Sequence, residues 1–244
     1  MKFSSRSFTC LAVLVCGSAL LSSCATRPAT ESQPNQLTAQ EKQAGWKLLF
    51  DGQSLAGWRS YGKPNGPDHG WVVEDGILNC VANAHGHDIV TVNQYTDFDL
   101  QWDWRIPARA NNGIKYLVNE QRPSAPGQEY QMIDDVLVAN NLKQSTAAFY
   151  NVLAPDPKKP LHPVGEWNHS RVLVQGNHVE HWLNGAKVLE FELGSPELLA
   201  AVAKSKFKQQ PKFGEKIIGP ILLTEHNDAA SYRNIKILEL GSKP

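Results

Sequence analysis

The sequence predicts an all-β fold, a jelly-roll sandwich of two sheets with one or two short helices. About a dozen short strand-like runs are separated by turns, which is typical of such sandwiches. Residues 98–106 alternate strictly between apolar and polar side chains, as a two-faced strand does. Asp75-Gly76 and Asn184-Gly185 each lie between apolar runs, and Asx-Gly is the strongest short hairpin signal.

Residues 1–23 are predicted to be a lipoprotein signal peptide. Lys2 and Arg6 precede an apolar stretch, residues 8–21, that is too short to span a bilayer. The tetrad Leu21-Ser22-Ser23-Cys24 resembles a bacterial lipobox, so we expect cleavage before Cys24 and lipidation of its sulfur. The acyl chains would hold the protein to a membrane. An ordinary cleaved signal or an inserted helix is the alternative.

Residues 24–37 are predicted to be a lipidated flexible tether, which leaves a single domain at residues 38–244. The tether is rich in Thr, Ser, Pro and Gln and has no apolar period, so its reach is about 20 Å. Ala25, rather than Asp, follows the lipidated cysteine. We therefore expect an exported lipoprotein of the outer membrane, facing the periplasm or the cell surface.

Cysteine count and charge limit the remaining possibilities. Cys10 and Cys16 lie in the signal peptide and Cys24 is lipidated, so Cys80 is the one thiol of the domain. Without an internal disulfide, a hydrophobic core must hold the domain together. Removing the two basic residues of the signal peptide from 24 leaves 22 against 24 acidic residues. This near-neutral balance argues against a nucleic-acid partner.

Two helices have clear capping signals. Thr38-Ala39-Gln40-Glu41 has the spacing of a capping box, and Gly45 is suited to end the helix. Ser195 is a good N-cap with Pro196 in the first turn, which predicts a second helix to about Lys204. Further strands are predicted at residues 113–118, 147–152, 170–175, 188–193, 220–223 and 231–240.

The strand-like segment at residues 127–135 predicts a sugar-binding surface. Glu129 and Gln131 project to one side, while Tyr130 and Met132 project to the other. One face of each sheet in a sandwich packs inward, so polar groups on an outer face suit a polar ligand. Long loops such as residues 154–166 and 207–215 would shape the site.

Eight segments follow the order and spacing of one known family. They are Leu48-Leu49-Phe50-Asp51-Gly52 with Leu55 and Gly57-Trp58, Trp71 with Glu74-Asp75-Gly76, Tyr95 with Asp97-Phe98, Asn112-Gly113-Ile114-Lys115-Tyr116, Glu129-Tyr130-Gln131-Met132-Ile133-Asp134, Gly165-Glu166-Trp167-Asn168, Glu180-His181-Trp182-Leu183-Asn184-Gly185 and Tyr232-Arg233-Asn234-Ile235-Lys236-Ile237. The chain resembles the 3-keto-disaccharide hydrolase family, also described as 3-keto-glucoside-1,2-lyase/3-keto-2-hydroxy-glucal hydratase. The resemblance implies a concanavalin-like jelly roll and a 3-keto sugar substrate, which a separate dehydrogenase must first oxidise.

The implied reaction requires three chemical groups. A ketone at carbon 3 acidifies the hydrogen on carbon 2, so a base can remove it while the carbon 1 oxygen departs. Water added to the resulting enone completes a net hydrolysis. Such a site needs a base, a cation or donor for the enolate oxygen, and an acid for the leaving group.

His226 is the first choice for the base, because an imidazole ordinarily titrates at about pH 6.5. Glu129 would orient His226 or supply the acid, while Arg233 and Lys115 would stabilise the enolate. The alternative for Arg233 is an ion pair with a carboxylate of the sheet, such as Asp103 or Glu129.

Other residues are expected to contact the substrate. His181 alternates with Val179 and Leu183, so a core imidazole is an equal alternative for it. Where family members often show Leu-Gln-Asp-His-Gly, this chain has Leu223-Thr224-Glu225-His226-Asn227, which changes the contacts expected there. The predicted substrate-binding residues are Gln131, Asp134, Lys115, Tyr150, His181 and Glu225.

No cofactor is required by the sequence, although a divalent cation in the cleft would suit enolate stabilisation. His85-Gly86-His87-Asp88 has residues typical of metal ligands, but a surface turn explains the motif equally well.

Two other functions fit the same fold. A conventional glycosidase needs two carboxyl groups about 5 Å or about 6.5–9.5 Å apart. Glu129 and Asp134 would be about 17 Å apart in one extended strand, although either can pair with Glu225. A lectin-like binding module is the non-enzymatic alternative.

Overall fold

The computed structural model describes Met1 and residues 33–67, 69–122 and 126–241. The described residues between 33 and 241 belong to one compact unit. The predicted signal peptide beyond Met1 and the predicted lipidation site Cys24 lie outside the described residues, so both stay predictions. None of the helices in the described ranges combines the length and the hydropathy needed to cross a bilayer.

Antiparallel strands make up most of the described chain, with two α-helices and two 3₁₀ turns at Asp135–Val138 and Leu142–Gln144. In chain order the helices and strands are α1 (Ala39–Ala44), β1 (Lys47–Leu48), β2 (Trp58–Ser60), β3 (Trp71–Glu74), β4 (Ile77–Cys80), β5 (Ile89–Thr91), β6 (Phe98–Arg105), β7 (Asn111–Tyr116), β8 (Gln128–Ile133), β9 (Asn168–Gln175), β10 (His178–Leu183), β11 (Ala186–Glu192), α2 (Pro196–Ala203), β12 (Leu222–Leu223) and β13 (Ala230–Glu239).

The strands form two sheets that pack face to face. The larger sheet has the order β11-β10-β9-β6-β13-β4-β3, with β1 paired to β13. The smaller sheet has the order β2-β5-β12-β7-β8. All pairings in both sheets are antiparallel, and the predicted all-β, concanavalin-like jelly roll is confirmed.

The core lies between the two sheets and is rich in aromatic side chains. Trp102 of β6 and Tyr130 of β8 meet edge to face, with ring centroids 5.0 Å apart. The Tyr130 hydroxyl lies 2.8 Å from Ser170 Oγ and donates to the Trp182 carbonyl at 3.0 Å, so its polar atom is satisfied. Burying each such ring contributes about 1.5–3 kcal/mol to the stability of the fold. Because Tyr130 points into the core, the side chains on the opposite face of β8 point outward.

The predicted turns and caps are present. Asp75 (φ 51) and Gly76 (φ 73) join β3 to β4, and the Asn184-Gly185 turn (φ 45 and 84) joins β10 to β11. Two successive positive φ angles match the right-handed twist of a hairpin. α1 has the Thr38 capping box, and the Ser195 hydroxyl accepts the backbone N–H of Leu198 at the start of α2.

Residues 147–152 were predicted as a strand but form turns with isolated bridges. Ala147 (φ 67) and Asn151 (φ 62) lie in the left-handed region, which interrupts an extended strand. Phe149 still bridges to Tyr130, so this segment covers the free edge of β8.

Among the described residues of the segment predicted as a tether, Asn35 contacts the sandwich. The Asn35 backbone N–H donates to Asn234 Oδ1 at 2.6 Å, and its side-chain amide donates to the Gly76 carbonyl at 2.7 Å. Asn35 has a φ of 59, a left-handed conformation that asparagine tolerates.

Candidate active site

The outer face of the β7–β8 pair carries the candidate site. Lys115 lies opposite Glu129, and Gly113 lies opposite Gln131. The residues between them point into the core, so the period of two brings the polar side chains together on the opposite face. Pairing with β12 on one side, where Leu222 lies opposite Lys115, fixes β7 within the sheet.

A cavity of about 370 Å³ opens on this face. Four of the predicted site residues meet there: Glu129, His226, Lys115 and Tyr150. We call this space the catalytic cleft. Its lining consists of Asn111, Lys115, Gly127, Glu129, Tyr150, Lys206, Phe207, Gln210 and His226.

Glu129 is the carboxylate of the cleft and is nearly buried, with 6% of its surface exposed. Its Oε1 accepts no hydrogen bond from the described residues. The carboxylate leans over Gly113, because a Cβ built at that glycine would lie 2.5 Å from Oε1. A buried carboxylate oxygen without a donor is costly, so this oxygen is suited to a proton or a donor that the substrate brings.

His226 lies at the exposed rim of the cleft and is held by Asn111. Its Nδ1 lies 3.3 Å from the Asn111 side-chain nitrogen, while Asn111 Oδ1 accepts a 3.0 Å bond from the Gln131 amide. This chain of bonds makes Nδ1 an acceptor, so the neutral ring carries its proton on Nε2. The Gln131 Oε1 is buried and has no partner among the described residues, and Gln131, predicted to bind substrate, lies outside the lining of the cleft.

Asp88 connects the cationic and imidazole sides of the cleft. Its Oδ2 lies 3.9 Å from the Lys115 ammonium, and its Oδ1 accepts the backbone N–H of Glu225 at 2.7 Å. Glu225 directly precedes His226 in the chain. The Asp88 carboxylate therefore contacts Lys115 and also positions the backbone next to His226. Asp88 belongs to the motif considered above as a metal cluster, and the structure gives it this positioning contact.

Glu225 itself caps its own turn. Its Oε1 accepts the backbone N–H of Asn227 at 2.9 Å, where Asn227 has a φ of 62. The side chain is therefore engaged locally and lies outside the lining of the catalytic cleft.

Lys206 and Phe207 form a wall of the cleft that sequence reasoning missed. The Lys206 ammonium lies 4.2 Å from the ring centroid of Tyr150, a cation–π contact, and Phe207 stacks on Phe213 at 4.5 Å. Both residues follow α2 in the chain. The long loop predicted at residues 207–215 was the one available signal, and it named no residue.

Arg233, predicted to be catalytic, lies on the outer face of the other sheet. Its Nε donates to Asp103 at 3.2 Å, and its guanidinium stacks on Trp167 at 4.2 Å. Its neighbour Tyr232 points into the core, which directs Arg233 away from the smaller sheet. The structure thus corrects the catalytic assignment and supports the alternative of an ion pair with Asp103.

His181, predicted to bind substrate, is a core residue with no exposed surface. Its Nδ1 donates to the Ala147 carbonyl at 2.9 Å, and its Nε2 accepts from the Tyr116 hydroxyl at 2.7 Å. Burial lowers the pKa of His181 to about 4, so the ring is neutral. The packing of the two sheets decides between the two alternatives in favour of the core.

Asp134, also predicted to bind substrate, caps the 3₁₀ turn that follows β8. Its two carboxylate oxygens accept the backbone N–H groups of Arg109 (2.8 Å) and Val136 (3.3 Å). Asp134 lies beyond the far end of β8 from Glu129, so these two carboxylates do not meet in the cleft. Its oxygens bind backbone N–H groups, and Asp134 lies outside the lining of the catalytic cleft, contrary to the expectation that it contacts the substrate together with Glu129.

One group of possible metal ligands occurs among the described residues. His178, Glu180 and Glu190 bring three ligand atoms within 4.8 Å of one another. The Lys187 ammonium contacts both carboxylates, at 3.3 Å and 2.5 Å, so a cation already occupies this position. The group lies on β10 and β11 of the larger sheet, and the divalent cation considered for the cleft stays a prediction.

Comparison with known proteins agrees with the fold and the motifs. Residues 45–238 match the 3-keto-alpha-glucoside-1,2-lyase-like domain. A 3-keto-disaccharide hydrolase of Bacteroides thetaiotaomicron is 28% identical over 229 residues, which cover 79% of this chain and 78% of the relative.

Solved structures show the same relationship. A candidate glycosyl hydrolase from Parabacteroides distasonis ATCC 8503 is 35% identical, with a TM-score of 0.76 over 85% of this chain and 100% of the other. A second candidate glycosyl hydrolase from that organism is 26% identical, with a TM-score of 0.64 over 80% of this chain and 99% of the other. The chain belongs to the 3-keto-alpha-glucoside-1,2-lyase-like domain family.

Proposed function

We propose that the protein cleaves 3-keto glycosides, including 3-keto-glucosides and 3-keto-disaccharides, by β-elimination with net hydrolysis after water addition. The observation that carries this proposal is the nearly buried Glu129 carboxylate, whose Oε1 has no donor among the described residues, in a cleft shared with Lys115 and His226. The family and the name of the Bacteroides relative support a carbohydrate-cleaving enzyme.

In the first step, Glu129 removes the proton from carbon 2 and is protonated. The electron pair of that C–H bond forms the enolate, whose negative oxygen is stabilised by the Lys115 ammonium. The enolate then re-forms the ketone while the bond from carbon 1 to the glycosidic oxygen breaks, which leaves a double bond between carbons 1 and 2. The electron pair of the broken bond stays on the departing oxygen, which takes a proton.

We assign the departing oxygen's proton to His226. Because Asn111 occupies its Nδ1, the neutral ring offers an Nε2–H as donor. His226 is exposed at the rim while Glu129 is nearly buried, so the geometry suits a donor to the aglycone side and a base at the floor. This differs from the sequence expectation, which placed the base at His226.

Substrates with different leaving groups test these two roles. A nitrophenolate departs without protonation, whereas an alkoxide needs an acid. Glu129→Gln is expected to lower kcat by about 10²–10⁴ on both a methyl and a nitrophenyl 3-keto-glucoside. His226→Asn should cause a comparable loss on the methyl substrate and little loss on the nitrophenyl substrate.

His178→Asn is the matched control, because His178 lies on the other sheet, and both activities should persist in it. An equal loss of activity on both substrates in His226→Asn would indicate that His226, and not Glu129, is the base. Failure of the intact protein to turn over any 3-keto sugar would favour the lectin-like alternative.

A conventional glycosidase is less well supported by the geometry. Glu129 is the one carboxylate among the described residues that line the cleft, and the retaining mechanism needs a second at about 5 Å. Asp88, a carboxylate beside Lys115, is occupied by the Lys115 ammonium and the Glu225 backbone N–H.

We also propose that the protein is an exported lipoprotein anchored through Cys24, with its domain held near the outer membrane. The lipobox-like tetrad and the short apolar stretch before it support this proposal.

A further inference from the structure

A second cavity, also of about 370 Å³, lies at the far end of β8 from the catalytic cleft. We call it the end cavity. Its walls are largely apolar and come from four parts of the chain: the end of β6, the end of β8, the 3₁₀ turn after β8 and the loop before β9. The apolar residues are Trp104, Ile106, Ile133, Val136, Leu161, Pro163 and Val164.

Three of the polar side chains in the end cavity are already engaged with the protein. Asp134 accepts two backbone N–H groups, as described above. Asp135 accepts the Thr146 backbone N–H at 2.7 Å and pairs with the Lys159 ammonium at 2.8 Å. Asn168 Oδ1 accepts the Asn184 side-chain amide at 2.8 Å. These three groups are engaged with the protein, so most of the remaining lining is hydrocarbon, beside the side chains of His162 and Glu166.

The end cavity and the catalytic cleft meet at the β7–β8 pair, where Ile133 of the end cavity lies opposite Asn111 of the catalytic cleft. Glu129, Gln131 and Ile133 alternate along the same face of β8, and Ile133 forms part of the end cavity. Ile133 is four residues further along the strand than Glu129, so the two positions are about 13 Å apart. This span is comparable with the length of a disaccharide or a short alkyl glycoside. Gln131 lies between them on the same face.

The rim of the end cavity exposes hydrocarbon to solvent. Val136 is 71% exposed and Val164 is 44% exposed, although a polar side chain would be better solvated at either position. Apolar surface gathered around a cavity is typical of a binding site.

We propose that the end cavity binds the aglycone of the 3-keto glycoside and selects aglycones with hydrocarbon character. This inference rests on the proposed function, because it places the keto sugar at Glu129. The chemical class of substrate is then an oxidised glucoside of an alkyl or similar apolar alcohol.

The test compares binding of methyl, n-butyl and n-hexyl 3-keto-glucosides, measured by calorimetry in the Glu129→Gln variant so that no substrate is consumed. These alcohols have similar leaving-group basicity, so the series varies apolar surface alone. The n-hexyl compound should bind at least about tenfold tighter than the methyl compound. Adding Val164→Asp should reduce that preference to less than about threefold, because it brings a charge to the apolar rim.

Val92→Asp is the matched control in the same background. Val92 is 60% exposed and follows β5 at the opposite end of the smaller sheet, and the tenfold preference should persist there. Equal affinity across the alkyl series, or an undiminished preference in Val164→Asp, would overturn the inference.

Turnover by the wild-type protein separates the two proposals. Binding that depends on alkyl chain length, without any turnover, would support the aglycone site in the end cavity and contradict the proposed reaction. Turnover with equal binding of all three compounds would sustain the reaction and reject the aglycone site.

Discussion

At the scale of single residues, the catalytic cleft depends on a glycine that makes room for a carboxylate. Gly113 lies on the same face as Glu129, one pair of residues further along the sheet. Its missing side chain leaves the space into which the Glu129 carboxylate folds. The position of the proposed base is therefore set by a residue that contributes no functional group.

Gly113→Ala should lower kcat on a 3-keto-glucoside by about 10²-fold or more, because the added methyl displaces the carboxylate from its place. The melting temperature should change little, since the far end of a flexible side chain can move away. Gly66→Ala is the control: its Cβ would have the Trp58 carbonyl at 3.8 Å as its nearest neighbour, so activity should persist. Full activity in Gly113→Ala would mean that Glu129 need not lie there.

At the scale of elements, β10 supplies a polar contact that holds the two sheets together. His181 of β10 bonds to Tyr116 of β7 and to the Ala147 carbonyl beside β8. Its ring also lies 4.9 Å from that of Tyr130, centroid to centroid. These contacts lie on the core side of β7 and β8, the two strands that carry the catalytic cleft. His181 therefore stabilises the position of the site through packing.

The buried His181 predicts a loss of stability in acid. Burial lowers its folded-state pKa to about 4, whereas the unfolded side chain titrates at about 6.5. Between these values the unfolded state binds more protons, so stability is full above about pH 6.5 and falls as the pH decreases toward about 4.

The expected loss between neutral pH and about pH 5 is about 2 kcal/mol, measured as the change in the free energy of urea unfolding. His181→Gln should lose correspondingly less over the same interval, whatever its stability at neutral pH. An identical pH dependence in the two proteins would show that His181 does not titrate in this way.

At the scale of the whole molecule, the two sheets have different outer faces. The smaller sheet presents the catalytic cleft, while the larger sheet presents paired charges such as Arg171 with Asp99 at 2.8 Å and the stack of Arg105 and Arg233 on Trp167. The paired charges of the larger sheet are satisfied within the protein. Glu129 Oε1 of the smaller sheet, in contrast, has no hydrogen-bond partner among the described residues. The sandwich thus directs its reactive chemistry to one side.

The proposed anchor is tested at the same scale. Cells expressing the full chain and fed an alkyne-tagged fatty acid should label the protein and recover it with the membranes. Cys24→Ala should abolish the label and release the protein from the membrane fraction. Cys80→Ala should keep both, because Cys80 is a buried thiol of the domain. An unlabelled wild-type protein would contradict the lipoprotein proposal.

Local sequence signals predicted the hairpins, the helix caps and the outward direction of Glu129 and Gln131. Each depends on residues close together in the chain, whether through a capping bond, a turn conformation or the period of two. The same logic, with the family resemblance, brought Lys115 and His226 into the candidate site. Most of the secondary structure and the central strand of the site could therefore be predicted.

Tertiary structure decided what a period of two leaves open. Alternation shows that Arg233 and Lys115 both face away from the core, but not that they belong to opposite sheets. Lys206 and Asp88 reach the cleft from loops distant in the chain, which no local pattern specifies. The sequence by itself determined which side chains leave the core, because that depends on neighbours in the chain. Strand pairing across more than a hundred residues determined which of them meet, because long-range register is set by packing of the whole sandwich.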